Sequence, residues 1–141
     1  MPQMHLPHLA ATAAVLTMAA SPALGATSTR YVGHTTDKRP VSFRVSGGKV
    51  RSFAFQTRFR CSNHTGFVAH ATFPAITLKA RRFSGAFSNP AGSLKTTIKG
   101  TISGRRASGT IRRRATYNSA RKLARGGHLV CTSSTRFTAK R

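Results

Sequence analysis

The side chains available for acid–base or metal chemistry are few in this sequence. Among 141 residues Asp37 is the one acidic side chain, and six histidines are the other main candidates for proton transfer. Hydrolysis of glycosides by paired carboxylates needs two acids, and a calcium site needs several oxygen ligands, usually carboxylates. The composition therefore excludes the first class of site and argues against the second.

Asp37 and the histidines leave one catalytic hypothesis open. A Ser-His-Asp triad would have to use Asp37, but this residue precedes a Lys-Arg-Pro run and suits a turn, paired with a neighbouring base. The histidines beyond the N-terminal segment are His34, His64, His70 and His128. No two of them have the i, i+4 or i, i+2 spacing that makes a metal site specific. We therefore predict no catalytic residue, no metal site and no cofactor.

The basic side chains offer a different chemistry, the binding of anions. The chain has 24 lysines and arginines and a formal net charge of +23 at pH 7. Guanidinium groups bind phosphates and carboxylates bidentately, and a basic surface attracts polyanions with an affinity that falls as salt rises. Codon bias in a GC-rich genome would produce the same arginine excess, so composition alone does not decide the function.

Cys61 and Cys131 are the two cysteines of the chain. Both fall on the inward-facing phase of predicted strands and lack the CxxC spacing of redox sites, which argues against a reactive thiol. In an oxidising compartment such a pair forms a disulfide. We predict an intramolecular bond that closes a loop of about 70 residues and stabilises the fold by on the order of 4 kcal/mol.

The elements that position these side chains are predicted to be β-strands. Apolar and polar residues alternate with period two in short segments, without helical periodicity. Gly47-Gly48 is a hairpin signal. The predicted strands cover residues 41–46, 52–61, 67–73, 76–78, 83–87, 94–103, 107–117 and 128–139. The pattern predicts an all-β fold, a single antiparallel β-sandwich or partly open barrel of about eight to nine strands.

Three glycines, Gly85, Gly100 and Gly109, share a strand face with flanking apolar residues. Glycine inside a strand marks the close approach of another group. We predict that a large side chain from the facing sheet crosses over each of them, with coincidence in a Gly- and Thr-rich sequence as the alternative.

Strand phase places several basic side chains on one outer face. Lys95 and Lys99 share the outer side of the 94–103 strand, and Arg112 and Arg114 join them if residues 107–117 pair with it as a hairpin. The predicted anion-binding set, which we call the basic plate, is Lys95, Lys99, Arg105, Arg106, Arg112 and Arg114. The polar 118–127 loop adds Arg121, Lys122 and Arg125. Most phenylalanines have inward phases, so Tyr31 and Tyr117 are the predicted exposed platforms for stacking bases.

The N-terminal segment has the pattern of a secretory signal. Residues 9–20 are uncharged and apolar apart from two threonines, which is too short a run for a bilayer but suits a signal core. Pro22 follows, then the small residues Ala23 and Gly25. The region before the core has no lysine or arginine, and an uncleaved anchor or a disordered tail is the alternative. We predict a signal peptide over 1–26 and a secreted β-sandwich domain over 27–141.

A resemblance supports this organisation. The residues that carry it are Tyr31-x-Gly33-x-Thr35, Val41-Ser42-Phe43-x-Val45 with Gly47-Gly48, Cys61, Arg82-Phe83-Ser84, Ile98-Lys99-Gly100, Ser108-Gly109-Thr110-Ile111, Cys131 and 137–141. Over most of the predicted mature chain the sequence resembles small secreted β-sandwich domains common in actinobacteria. Phe137 departs from their pattern, which often has tryptophan there. The resemblance implies a fold and an extracellular location, and it carries no activity.

Three functional hypotheses follow. The leading one is a secreted, non-catalytic domain that binds anionic polysaccharide, an envelope polymer or phospholipid head groups through the basic plate, and nucleic acid only non-specifically. The second is a structural envelope or extracellular protein without a dedicated ligand, which predicts charge spread over all faces. The third is a small hydrolase, which requires the histidines to converge near Asp37. The sequence does not determine the oligomeric state.

Overall fold

A computed structural model of the chain describes residues 27–117 and 129–141. The predicted signal peptide and the 118–127 loop lie outside these ranges. The described residues form nine strands: β1 (Thr29–Thr35), β2 (Pro40–Ser46), β3 (Lys49–Cys61), β4 (Gly66–Phe73), β5 (Ile76–Lys79), β6 (Arg82–Ser88), β7 (Leu94–Ser103), β8 (Arg106–Tyr117) and β9 (Leu129–Lys140). In these two ranges the chain has no helix long and apolar enough to cross a membrane.

The nine strands belong to one antiparallel sheet with the order β2-β1-β9-β8-β7-β6-β5-β3-β4. β3 also pairs with β2 and, at its end, with β9, so the strand pairings return to their starting point around a central core. The all-β antiparallel fold class predicted from the sequence, with its strand number, is confirmed. β1 is the strand that the alternation did not single out, because its inward phase holds one large apolar residue, Tyr31, beside Gly33 and Thr35.

β3 closes the sheet because it is long enough to change partners. On one edge it pairs first with β5, at Lys49 and Val50, and then with β4, from Phe53 to Arg60. Between these two segments Ser52 has a positive φ of 51°, and the register of β2 against β3 also shifts nearby. Such local irregularities bend a strand and increase its twist, which lets β3 leave one neighbour for the next.

Aromatic rings fill the core between the strands. Phe43, Phe53, Phe55 and Phe137 are all about 1% exposed or less. The Phe43 ring stacks on Phe53 at a centroid distance of 5.0 Å, and on Tyr31 at 5.1 Å. A smaller cluster at the other end contains Phe59, Ala115 and Cys131. Apart from Tyr31 on β1, these buried residues lie on the inward phases of β2, β3, β8 and β9.

The strand glycines are covered by large side chains, as predicted, but the source of two of them differs from the prediction. Phe83 lies over Gly100 and Phe137 lies over Gly109, and in each case the aromatic residue is the direct cross-strand partner of the glycine in the same sheet. The ring of the cross-strand partner occupies the space that a Cβ atom on the glycine would take. The covering side chain therefore comes from the neighbouring strand and not from a facing sheet. Gly85 is covered by Phe73 and Ile76, from β4 and β5.

The predicted disulfide is confirmed. Cys61 and Cys131 are bonded and are direct partners in the short β3–β9 ladder. The bond ties the end of β3 to β9, the two strands whose contact completes the closure of the sheet at this end.

Candidate anion-binding face

The register of β7 and β8 assembles the basic plate. Lys95 lies directly opposite Arg114. Arg112 lies opposite Thr97, and Lys99 lies opposite Thr110. Arg105 lies in the β7–β8 turn, and Arg106 begins β8. All six predicted plate residues are exposed, so the structure places them together on the outer side of the β7–β8 hairpin.

Neighbouring strands enlarge this face with basic residues that the sequence analysis did not include. On β9, Arg136 lies opposite Thr110, and Lys140 lies opposite Arg106. On β6, Arg82 lies opposite Thr101. All three are exposed. Their outward phase was readable from the alternation, but their position beside the plate depends on which strands flank the hairpin.

The plate concentrates like charges without an acidic side chain to offset them. Directly opposed residues of an antiparallel pair have Cβ atoms about 5 Å apart, where like charges destabilise the sheet. The single acidic side chain of the protein, Asp37, lies in the turn between β1 and β2 and not on β7 or β8. An anion bound across Lys95 and Arg114 would relieve this repulsion.

A groove runs beside the plate along the outer strands. Its volume is about 980 Å³, and its cationic lining residues are Lys79, Arg82 and Lys99. Hydroxyl side chains, among them Ser84 and Thr101, also line it. Apolar side chains make up much of the rest of the lining. Since Lys99 belongs to both features, the groove extends the plate with cations and hydroxyl groups set among apolar side chains.

Positive charge is not confined to this face. Arg30, Arg44 and Arg51 lie in successive register on β1, β2 and β3, and all three are exposed. The exposed cations thus lie on β1, β2 and β3 as well as on the plate, as the hypothesis of a structural protein expects.

A buried arginine is the main polar feature that the sequence analysis missed. Arg113 is 6% exposed. Its Nη1 donates to Thr57 Oγ1 at 3.2 Å and its Nε donates to Thr96 Oγ1 at 3.4 Å. The guanidinium carbon lies 5.3 Å from the ring centroid of Phe55 and 4.9 Å from that of Phe59. Neutral hydroxyl groups and aromatic faces therefore hold this cation.

The environment of Arg113 disfavours its charge. Burial lowers the pKa of the guanidinium, because desolvation penalises the cation, while a coulombic interaction with Tyr117 acts in the opposite direction.

The burial of Arg113 could have been read from the alternation along β8. Arg113 follows Ile111 by two residues and precedes Ala115 by two, both on the inward side of β8.

Among the described residues, the histidines of the hydrolase hypothesis lie on different elements. His34 lies on β1, His64 in the β3–β4 turn and His70 on β4, and all are exposed. Within residues 27–117 and 129–141 no three His, Cys, Asp or Glu side chains are grouped so as to hold a metal ion. His128 and the basic residues Arg121, Lys122 and Arg125 lie outside the described residues.

Of the two tyrosines predicted to be exposed platforms for stacking, one is exposed and the other is buried. Tyr117 is 46% exposed. Tyr31 is buried, because its ring stacks on Phe43 and its hydroxyl donates to the Gly104 carbonyl oxygen at 3.2 Å. Phe67 and Phe87 are exposed instead, at 38% and 40%. Phe67 contacts Tyr117 edge-on with centroids 6.4 Å apart.

Comparisons with known proteins add no relative: no protein-family model matches this chain, and no curated protein matches its sequence significantly. The resemblance to small secreted domains of actinobacteria stays a prediction.

Proposed function

We propose that this protein is a secreted, non-catalytic domain that binds anionic polymers or surfaces at or outside the cell envelope. The ligand class is anionic polysaccharide, an envelope polymer or phospholipid head groups. Nucleic acid would be bound through its phosphates alone, without base specificity. The basic plate supplies the binding surface, with Arg82, Arg136 and Lys140 at its margins.

The observation that carries this proposal is the register of β7 against β8. It sets Lys95 against Arg114 on an exposed face that lacks an acidic side chain. Repulsion between such neighbours costs stability in the free protein, so a polyanion that spans them is favoured both by attraction to the cations and by relief of that repulsion. The disulfide fits an oxidising compartment outside the cytoplasm.

A charge-matched pair of quadruple variants tests the proposal. In the first, Lys95, Lys99, Arg112 and Arg114 are all changed to Thr, which suits exposed strand positions. We expect the variant to fold and to lose affinity for an anionic polysaccharide such as heparin. The loss should be large at low salt and small at high salt, because exposed charges are screened within about 10 Å at 0.1 M ionic strength.

The control changes Arg30, Arg44, Lys49 and Arg51 to Thr, which removes the same charge from exposed positions on β1, β2 and β3. Binding isotherms of both variants at two salt concentrations separate a site from a net-charge effect. Equal loss of affinity in the two variants would show that the plate is not a site.

That result would favour the second candidate, a structural extracellular protein whose charge keeps it soluble. The observation in its favour is the row formed by Arg30, Arg44 and Arg51, which extends the positive surface beyond the plate to β1, β2 and β3. Among the described residues no such observation favours a hydrolase, and we do not propose it.

A further inference from the structure

A second cationic cavity lies where the sheet is split, on the β9 side of the basic plate, because the lining residues Thr132 and Ser134 are cross-strand partners of Arg114 and Arg112. β9 pairs with β3 at Cys131 and Thr132, and with β1 from Phe137 to Lys140. Among the described strands, the intervening residues 133–136 are ladder-paired only with β8. The cavity occupies this gap and has a volume of about 510 Å³. Its lining residues are Asp37, Arg39, Arg58, Arg60, Thr132, Ser133 and Ser134.

Both ends of the cavity are fixed by contacts between the strands and turns that form it. The Cys61–Cys131 disulfide and the Arg60–Thr132 strand pair hold β3 against β9 at one end. At the other end the β1–β2 turn is anchored to β9, because Thr36 donates its backbone N–H to the Arg136 carbonyl oxygen at 2.9 Å. The Oγ1 atoms of Thr36 and Thr135 are also hydrogen-bonded, at 2.8 Å. The cavity is therefore preformed.

The turn itself is held in a single conformation by Thr35. The backbone N–H of Arg39 donates to Thr35 Oγ1 at 3.1 Å, and the Thr35 N–H donates to the Arg39 carbonyl oxygen at 2.8 Å. Arg39 therefore lines the cavity from the β1–β2 turn, and Arg58 and Arg60, which share one face of β3, line it from that strand.

Two buried polar atoms without a partner belong to residues of this one cavity. Among the described residues, the buried side-chain atoms that lack a hydrogen-bond partner are Arg39 Nε and Ser133 Oγ. Ser133 is 6% exposed and is the direct cross-strand neighbour of Arg113. A buried polar group without a partner costs free energy, so an unsatisfied donor and an unsatisfied hydroxyl in the lining of one cavity point to a ligand that supplies an acceptor.

The charge balance defines that acceptor. Three arginines against one aspartate leave an excess of two positive charges in the lining. Arginine forks match the oxygen geometry of phosphate, and a phosphate monoester carries about −1.5 to −2 charge at pH 7. We propose that the cavity binds a dianionic phosphate group, held by Arg39, Arg58 and Arg60 with the hydroxyl groups of Ser133 and Ser134.

Two sources of this group fit the cavity, inorganic phosphate and the terminal phosphate of a phosphorylated polyol or sugar. The volume falls in the range of small-molecule sites, so a carrier attached to the phosphate fits as well. Titrations of the disulfide-bonded protein with inorganic phosphate and with glycerol phosphate distinguish the sources. Tighter binding of glycerol phosphate assigns the site to an organic phosphate, and equal binding assigns it to the free ion.

The experiment is isothermal titration at constant ionic strength of about 0.15 M, where weak exposed charge effects are screened. We expect saturable one-site binding of the phosphate probes, and at least tenfold weaker binding of dimethyl phosphate, because it carries a single charge. Changing Arg58 and Arg60 together to Thr should weaken phosphate binding by about tenfold or more, the effect of losing charge-assisted hydrogen bonds.

The matched control changes Arg44 and Arg51 to Thr. These residues are exposed direct partners on β2 and β3 and do not line the cavity, so phosphate binding should change by less than about twofold at this ionic strength. Absence of saturable binding, or equal loss in the two double variants, would overturn the proposal.

Ser133→Ala gives an independent measurement. Removal of a buried hydroxyl group without a partner should raise the stability of the ligand-free protein in either case. If Ser133 helps to hold the phosphate, as proposed, the variant also binds phosphate more weakly. Unchanged phosphate affinity would mean that the hydroxyl has no role in binding. A variant with only Lys95 and Lys99 replaced should retain the cavity's phosphate affinity, because neither residue lines the cavity or pairs with β9. Failure of the plate as a polyanion site and failure of this cavity therefore remain distinguishable.

Discussion

At the scale of single residues, the unusual feature is a cation buried without a carboxylate. Arg113 is enclosed by two phenylalanine rings and bonds two threonine hydroxyls. Cation–π contacts of a desolvated guanidinium contribute about 2 kcal/mol or more each, whereas burial of the charge costs several kcal/mol before compensation. The carbon stem of arginine, by contrast, packs as an apolar side chain.

This balance predicts different results for two substitutions. Arg113→Ala should destabilise the domain by about 2–4 kcal/mol, because it leaves a cavity beside Phe55 and Phe59. Arg113→Met refills that space, and its cost should be under about 1 kcal/mol. Because the folded state lowers the pKa of Arg113, its charge reduces stability throughout the pH range below the arginine pKa, and Met removes that penalty at neutral pH. Urea denaturation at pH 7 measures both effects. If Met destabilised the domain as much as Ala does, the guanidinium itself would be required.

At the scale of elements, closure of the sheet depends on β3 and its end contact with β9. That contact consists of two residue pairs, Arg60 with Thr132 and Cys61 with Cys131. A ladder this short is marginal by hydrogen bonding alone, since each hydrogen bond contributes about 1 kcal/mol net. The disulfide therefore has an architectural role: it holds together two strands whose cysteines are 70 residues apart in sequence.

Removing the bond should cost much of the stability of the domain. The chain-entropy model gives about 4 kcal/mol for a closed loop of this length, so the Cys61→Ser/Cys131→Ser variant should unfold at a much lower urea concentration. Adding a reductant should lower the midpoint of the natural protein and leave that of the double variant unchanged. Thiol titration in denaturant should find no reactive group before reduction, and finding two per chain would contradict the bonded pair.

At the scale of the whole molecule, electrostatics is dominated by self-repulsion. A net charge of +23 destabilises the compact state, and exposed cations lie on β1, β2 and β3 as well as on the plate. The stability of the domain therefore depends on the salt concentration, which has to be held fixed in any measurement of polymer binding.

We expect the melting temperature to rise with sodium chloride, by on the order of 5 °C between about 0.01 M and 0.15 M, as screening shortens the range of repulsion. The plate variant, with four cations fewer, should show a smaller rise. Differential scanning calorimetry over a salt series measures both slopes. A melting temperature that falls with salt would mean that attractive pairs, and not repulsion, dominate the folded state.

The plate was predictable from sequence for a local reason. The period of two in a strand fixes which side chains share a face, so Lys95 with Lys99, and Arg112 with Arg114, follow from their own segments. The inward phase of Cys61 and Cys131 likewise made their pairing predictable once an oxidising compartment was assumed. Hairpin pairing of adjacent strands then needed only the short turn at Gly104, which has a positive φ of 58°.

What only the tertiary structure decided are the contacts between segments distant in sequence. Nothing local places Arg39 beside Arg58 and Ser133, because that depends on β3 and β1 both meeting β9 and leaving a gap between them. The burial of Tyr31 is decided in the same way, by the ring of Phe43 and the carbonyl group of Gly104. Alternation along a strand assigns its faces, whereas strand order and register arise from packing across the whole sheet, and that packing determines which faces become core, plate or cavity.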